Sequence, residues 1–301
     1  MRFTDSFPFI EEARATGRGH KWYLEIPKFI IVAVVMLFGM SFLAECVTYL
    51  VSLFVPYSAD ADLVINLYEQ IIGIAIVLLY CRFAERRPLS SMGYVKRGAV
   101  SQYLSGLGVG FAMFAAVVGL GTVLGGFRFE GFTDSFRPGI LLLFLGGFLF
   151  QGMFEEAMCR GYIMVSLARK NSVLLAVIVN ASIFGLMHAF NPGFGPLPVV
   201  NLVLFGFFAS VYMLRTGNIW GVAAIHSIWN FVQGNFFGLS VSGMPLMPTV
   251  FRFSSTDNAL ISGGDFGPEG GLPVTVVLVV GIALVLLVPK KGKEQIRTEA
   301  R

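Results

Sequence analysis

The stretch Pro138-Gly-Ile-Leu-Leu-Leu-Phe-Leu-Gly-Gly-Phe-Leu-Phe-Gln-Gly-Met-Phe-Glu-Glu-Ala-Met-Cys-Arg-Gly-Tyr162 sets the reading of the whole chain. From Pro138 to Phe154 it carries no charged side chain, and then Glu155, Glu156 and Arg160 follow closely. A surface helix of a soluble domain shows a polar face throughout its length; this segment shows none before Gln151. It reads as a membrane helix whose ionisable groups sit at one end. Such groups are costly within a bilayer and mark candidate functional positions.

The rest of the 301 residues agrees. Hydrophobic residues make up 55% and charged residues only 13%, with a mean hydropathy of +0.75. Soluble domains carry about a quarter charged residues, so a water-soluble globule is excluded. The net charge of +4 comes from basic loops between apolar segments rather than from a basic face, which excludes a nucleic-acid binder. Cys46, Cys81 and Cys159 are dispersed, without the spacing of a disulfide framework or a thiolate zinc site.

A spanning helix needs about 20 mostly apolar residues. Eight segments qualify: Phe29–Val55, Val64–Tyr80, Tyr103–Phe127, Pro138–Phe154, Val173–Phe190, Leu197–Leu214, Ile219–Leu239 and Leu272–Val288. Cytoplasmic loops collect Lys and Arg. With the N-terminus inside, only Arg128, Arg137 and Arg252 of the 22 basic residues fall outside. The expectation is therefore an all-α, polytopic protein of about eight transmembrane helices in one bundle. It would be a multi-pass protein of the plasma membrane with both termini cytoplasmic. Residues 1–28 form a polar cytoplasmic segment without a cleaved signal peptide, so the first membrane helix is expected to act as an uncleaved anchor. Residues 29–288 form the membrane domain, with its polar motifs in 138–239. Residues 240–271 are a Gly/Ser/Pro-rich outside loop, and 289–301 a charged tail.

Polar residues concentrate between 151 and 235. Glu156 and Arg160 are four apart, so on a helix they share one face and can pair. Glu155 points about 100° away, on the face of Gln151 and Cys159, neither of which neutralises it. One carboxylate is thus paired and structural, the other available for chemistry. Asn180, Phe184 and His188 follow at successive i+4 steps, and His226, Asn230 and Gln233 make a second polar stripe. Taken singly, each of these except Glu155 reads as a packing or helix-pairing group, as do Glu45 and Glu69 in the first two helices. His20 reads as a solvated side chain. Taken together, two histidines and an unpaired carboxylate are what a hydrolase needs: a base for water, groups that bind a metal or stabilise charge, and an Asn230 amide for an oxyanion.

These three segments resemble the CPBP family of intramembrane proteases, which includes the type II CAAX prenyl endopeptidases and bacteriocin-processing or self-immunity proteins. The family's Glu-Glu-x-x-x-Arg matches Glu155, Glu156 and Arg160. Its Phe-x-x-x-His matches Phe184 and His188, and its His-x-x-x-Asn matches His226 and Asn230. Arg87-Pro-Leu-Ser-Ser-Met-Gly93 and Gly264-Asp-Phe-Gly-Pro-Glu-Gly-Gly271 look like the bacterial branch. The resemblance implies hydrolysis of a peptide bond in a membrane-associated protein or peptide, prenylated or not. Glu155 would activate the water, with His188 and His226 completing the site. Asn230 would stabilise the oxyanion, while Glu156, Arg160 and Phe184 would support the site. A Zn(2+) ion on His188, His226 and Glu155, and a metal-free glutamate mechanism, both stay open. So do two other functions: a catalytically silent membrane scaffold or immunity protein, and a Glu/His-based ion transporter. The helix edges drawn above put Glu155 and His188 at opposite ends of neighbouring helices. A shared site therefore requires a longer helix, from about 142 to 168, or a later start for the next.

Overall fold

Each of the eight apolar segments carries a helix in the computed structural model, which describes residues 1–54 and 58–287. The elements are α1 (Pro8–Ala15), α2 (Trp22–Ser52), α3 (Ala59–Leu79), α4 (Ala99–Val123), β1 (Phe127–Phe132), α5 (Pro138–Glu156), α6 (Val165–Ala168), α7 (Val173–Leu186), α8 (Pro196–Thr216), α9 (Trp220–Phe231), β2 (Phe251–Ser255), α10 (Ala259–Ser262) and α11 (Leu272–Leu287). The span edges Val55 and Val288 and the charged tail 289–301 lie outside the described residues. Among the described residues, four helical runs are long and apolar enough to cross a bilayer by length and composition: Ala59–Ala84, Ala99–Val123, Pro138–Ala168 and Pro196–Thr216. The chain is an all-α integral membrane protein. Among the described residues one small sheet pairs β1 with β2 antiparallel, with a bulge between Phe129 and Gly131. That ribbon is held by phenylalanines, Phe129 against Phe251 and Phe253, in loops the sequence reading left irregular.

Two helix lengths differ from the sequence expectation, and both matter for the site. The helix expected to stop at Phe154 continues from α5 through a π-helical stretch, Ala157–Met164, into α6, a run of 31 residues. It continues because its first charges neutralise one another. Arg160 donates from Nη1 to Glu156 Oε1 at 3.0 Å, with both side chains fully buried. Arg160 therefore belongs to the helix interior and not to a loop, as the span count had it. The segment expected over Val173–Phe190 is helical only through Leu186. At 1.5 Å per residue its 14 residues reach about 21 Å, short of the ~30 Å hydrocarbon core. Asn191-Pro192-Gly193 follows as a turn. Glu155, midway along a long helix, thus faces the end of a short one that carries His188 just beyond it.

Helix α9 lies at the centre, with Gly221 through Ser227 all buried. Close approach comes from small residues. A Cβ on Gly106 of α4 would lie 2.9 Å from Ala224 Cβ on α9, so the two helices meet nearly backbone to backbone. Elsewhere the pairing reading holds for Glu69, whose carboxylate accepts from Thr48 Oγ1 at 2.8 Å and ties α3 to α2. Asn180 likewise donates to Ser210 Oγ at 2.9 Å and ties α7 to α8.

Candidate active site

The carboxylates come from the last turn of α5, where the helix passes into its π-helical stretch. Such insertions re-aim side chains and recur at functional positions. Glu155 and Glu156 point to different surroundings. Glu156 is fully buried, and its Oε1 accepts from both Arg160 and His226 Nδ1, the latter at 2.8 Å. Glu155 accepts a hydrogen bond from Gln151 Nε2 at its Oε1. Its Oε2 has no hydrogen-bond partner among the described residues and stands 3.7 Å from His226 Nε2. The imidazole of His226 therefore spans the two carboxylates.

That placement depends on how tightly α5 meets α9. Gly152, one turn before Glu156, lies against Ser227; a Cβ there would come within 2.7 Å of the Ser227 backbone nitrogen. Phe205 of α8 closes the far face of His226, with ring centroids 4.9 Å apart in a T-shaped contact. Phe184 of α7 packs against the same imidazole at 5.8 Å and beneath the Arg160 guanidinium at 4.7 Å. Phe184 thus makes a cation–π contact with the guanidinium of the Glu156–Arg160 pair.

His188 lies just past the end of α7, and its Nδ1 is 3.0 Å from Phe184 O. A carbonyl oxygen only accepts, so Nδ1 carries a proton and the bond is committed to Phe184. His226 likewise commits its Nδ1, to the Glu156 carboxylate. Asn230 donates from Nδ2 to Gln151 Oε1 at 2.9 Å, so Asn230, Gln151 and Glu155 form one hydrogen-bonded chain. Each side-chain amide carries two N–H donors, which leaves Asn230 one for another acceptor.

Glu155, His188, His226 and Asn230 all line one cavity of ≈ 300 Å³ between α3, α5, α7, α8 and α9. The sequence expectation brought these four together, and the structure places them on a common wall. Gln233, the third member of the α9 stripe, lies elsewhere: it donates to Ser240 O at 2.6 Å and to Glu269 Oε2 at 3.3 Å. The reading missed Gln151 as a site group, although it stands at i−4 from Glu155. It also missed the cavity's cover. Glu269 accepts from Ser242 N at 2.7 Å and Ser242 Oγ at 2.6 Å, and Asn191 donates to Ser242 O at 2.8 Å. These residues come from the segments after α7, after α9 and before α11, and they knit three loops over the opening.

A zinc set has the right donor chemistry here, two imidazole Nε2 lone pairs and a carboxylate. The spacing does not follow: among the described residues no three His, Cys, Asp or Glu side chains are grouped so that they could hold a metal ion.

Fold and site together define an integral membrane protein with a buried carboxylate–imidazole centre. Residues 137–232, which hold every one of these motif residues, match the model of the family described as "Type II CAAX prenyl endopeptidase Rce1-like". That match, over about a third of the chain, supports the resemblance to the CPBP/CAAX proteases. No curated protein and no solved structure matches the chain.

Proposed function

We propose that the chain is an intramembrane endopeptidase in which Glu155 activates the attacking water. The observation that carries this reading is the free Glu155 Oε2 facing His226 Nε2 at 3.7 Å across the cavity wall. A water admitted from the cavity beside these two atoms would be held by both. Glu155 would take its proton as the oxygen attacks the scissile carbonyl. Asn230 would donate its remaining N–H to the oxyanion that forms. His226, held by Glu156, would then shuttle the proton toward the departing amine. His188 presents its Nε2 on the same wall and would position the water or the substrate amide N–H. The apolar surroundings strengthen each of these interactions by excluding bulk water.

The substrate is a membrane-associated protein or peptide, prenylated or not, entering a site buried among helices. With Arg160 now inside a helix, the remaining Lys and Arg still favour the loops that place both termini in the cytoplasm. The test is cleavage of a quenched-fluorescent peptide library by purified protein in proteoliposomes, wild type beside Glu155→Gln. Cleavage by the wild type and its loss in the variant support the reading. Equal cleavage by both overturns the role of Glu155. A wild type that binds peptides without cleaving them is a scaffold instead, and ion flux from the same vesicles would identify a transporter.

A further inference from the structure

A second polar centre lies away from the proposed active site, where the N-terminal segment crosses the ends of α2, α3 and α6. There a cavity of ≈ 440 Å³ is lined by Arg18, His20, Lys28, Tyr80, Glu85 and Arg169, among others. Its charges do not balance. The cations Arg18, Lys28, Arg87 and Arg169 face two carboxylates, Glu25 and Glu85. Glu85 is the hub: it takes Lys28 Nζ at 2.8 Å on one oxygen, and Arg87 Nε and Arg169 Nη2, each at 3.0 Å, on the other. Arg169 is thereby only partly satisfied. Its side chain is 2% exposed, yet Nε and Nη1 have no hydrogen-bond partner among the described residues. A buried charged donor without an acceptor is costly, and guanidinium cannot escape by losing its proton.

The wall beside it is kept bare. Gly19 lines the cavity at φ +108°, and a Cβ there would stand 3.3 Å from Arg169 Nε. Any side chain would crowd the unsatisfied donor. The level of the cavity is marked by α2. Trp22 and Tyr23 are exposed at the start of that helix, and exposed Ile30, Ile31, Val34 and Val35 follow after Lys28. Exposed Trp and Tyr followed by exposed aliphatics mark the border between headgroups and hydrocarbon.

We propose that this cavity binds a phosphate-bearing anion, supplied by the headgroup of an anionic phospholipid, on Arg18, Lys28 and Arg169. Arg169 keeps free donors at Nε and Nη1, one of which a phosphate oxygen can take, and Lys28 and Arg18 complete a basic pocket at headgroup depth. Free phosphate shares this chemistry, but the aromatic-to-aliphatic boundary on α2 favours the lipid. This site does not rest on the protease reading and stands or falls separately from it.

The test is native mass spectrometry of the full-length protein in detergent. It is titrated with phosphatidylglycerol, with phosphatidylcholine and with inorganic phosphate. The wild type is expected to hold one phosphatidylglycerol about tenfold more strongly than phosphatidylcholine. Arg18→Gln, an exposed position whose loss leaves the buried network intact, should weaken it about fivefold, the worth of one basic residue near an anionic surface. Arg169→Lys keeps a charge beside Glu85 but removes the free Nε and Nη1 donors, and should weaken it about tenfold. Equal retention of the two lipids, or retention unchanged in both variants, overturns the site. Variant-sensitive binding of inorganic phosphate without retention of phosphatidylglycerol overturns the lipid assignment and identifies a free anion as the occupant.

Discussion

Glu156 Oε1 lies 2.8 Å from His226 Nδ1 and 3.0 Å from Arg160 Nη1, so one buried oxygen holds both a guanidinium and an imidazole. The carboxylate expected to be structural therefore also sets the orientation of the histidine that faces Glu155. Glu156→Ala leaves the buried Arg160 without its partner, a loss of about 3–5 kcal/mol by the usual cost of breaking a buried pair. It should lower thermal stability in detergent and cleavage together. Glu156→Gln keeps an acceptor for His226 and should retain more of both. An alanine variant that melts like the wild type but does not cleave would make Glu156 a chemical group instead.

Glu155 carries less of that burden, because its hydrogen bond is to Gln151 and His226 Nε2 stands 3.7 Å away. Glu155→Gln should leave the melting temperature within about a degree or two, as for a change that breaks no hydrogen-bonded ion pair. Its turnover should fall by roughly 10²–10⁴, the usual worth of a general base. Thermal unfolding and peptide cleavage on the same preparation separate the two effects. Retained turnover would remove Glu155 from the mechanism.

The motif residues were legible because helical spacing and the rarity of charge in this chain both single them out. Glu156 and Arg160 at i, i+4 paired as the period requires. The lengths of the helices were harder to read. Charges at Glu155, Glu156 and Arg160 look like a helix end in a hydropathy pattern, yet a buried ion pair lets the helix continue to Ala168. The cover over the cavity was not legible, since Glu269, Ser242 and Asn191 are far apart in sequence and meet only through loop backbone. The N-terminal segment illustrates the same limit. Phe9, Ile10 and Ala13 bury one face of α1, but eight residues are too few for a periodic signal to stand out among charged neighbours.

Gly152 offers a test of spacing without touching a polar group. Its α5 backbone lies so close to α9 that an alanine Cβ would meet the Ser227 nitrogen at 2.7 Å. Backbone cannot yield as a side-chain tip can, so α5 must move away from α9. Overpacking of this kind costs about 1–3 kcal/mol, and a shift of about 1 Å at the reacting atoms can cost 10²-fold in rate. Gly152→Ala should therefore fold with reduced stability and lose activity out of proportion to that reduction. Full activity in a stable Gly152→Ala protein would show that the α5–α9 distance does not govern the site.

The Glu85 hub predicts how stability responds to acid. Burial by itself would raise its carboxyl, but Arg87, Arg169 and Lys28 outweigh burial and hold it below the usual 4.5. A carboxyl depressed on folding contributes stability that is complete above its unfolded value. That contribution is lost as pH falls from about 4.5 through the lower folded value. The melting temperature should thus decline with acid in that window in the wild type. In Glu85→Gln the decline should be smaller, from a lower starting point at neutral pH, because three cations lose their common counter-charge. Parallel pH profiles for wild type and Glu85→Gln would place the acid sensitivity elsewhere.

The two histidines decide how the site treats metal. Each ring has its Nδ1 committed, His188 to Phe184 O and His226 to Glu156, which leaves the two Nε2 atoms for whatever the cavity contains. Zinc would need both of these and Glu155 within about 2.0–2.2 Å of one point; the 3.7 Å between Glu155 Oε2 and His226 Nε2 suits such a pair, but among the described residues no third ligand is grouped with them. A water held beside Glu155 and His226 needs no third ligand. Cleavage by the purified protein is accordingly expected to survive a zinc chelator, and elemental analysis of active protein to find less than one zinc per chain. His188→Ala should still reduce turnover, because it removes a polar group from the wall the substrate faces. Activity lost to the chelator and restored by Zn(2+) would instead mean that His188 swings in to complete a metal set, and Glu155 would then serve as a ligand or act on metal-bound water.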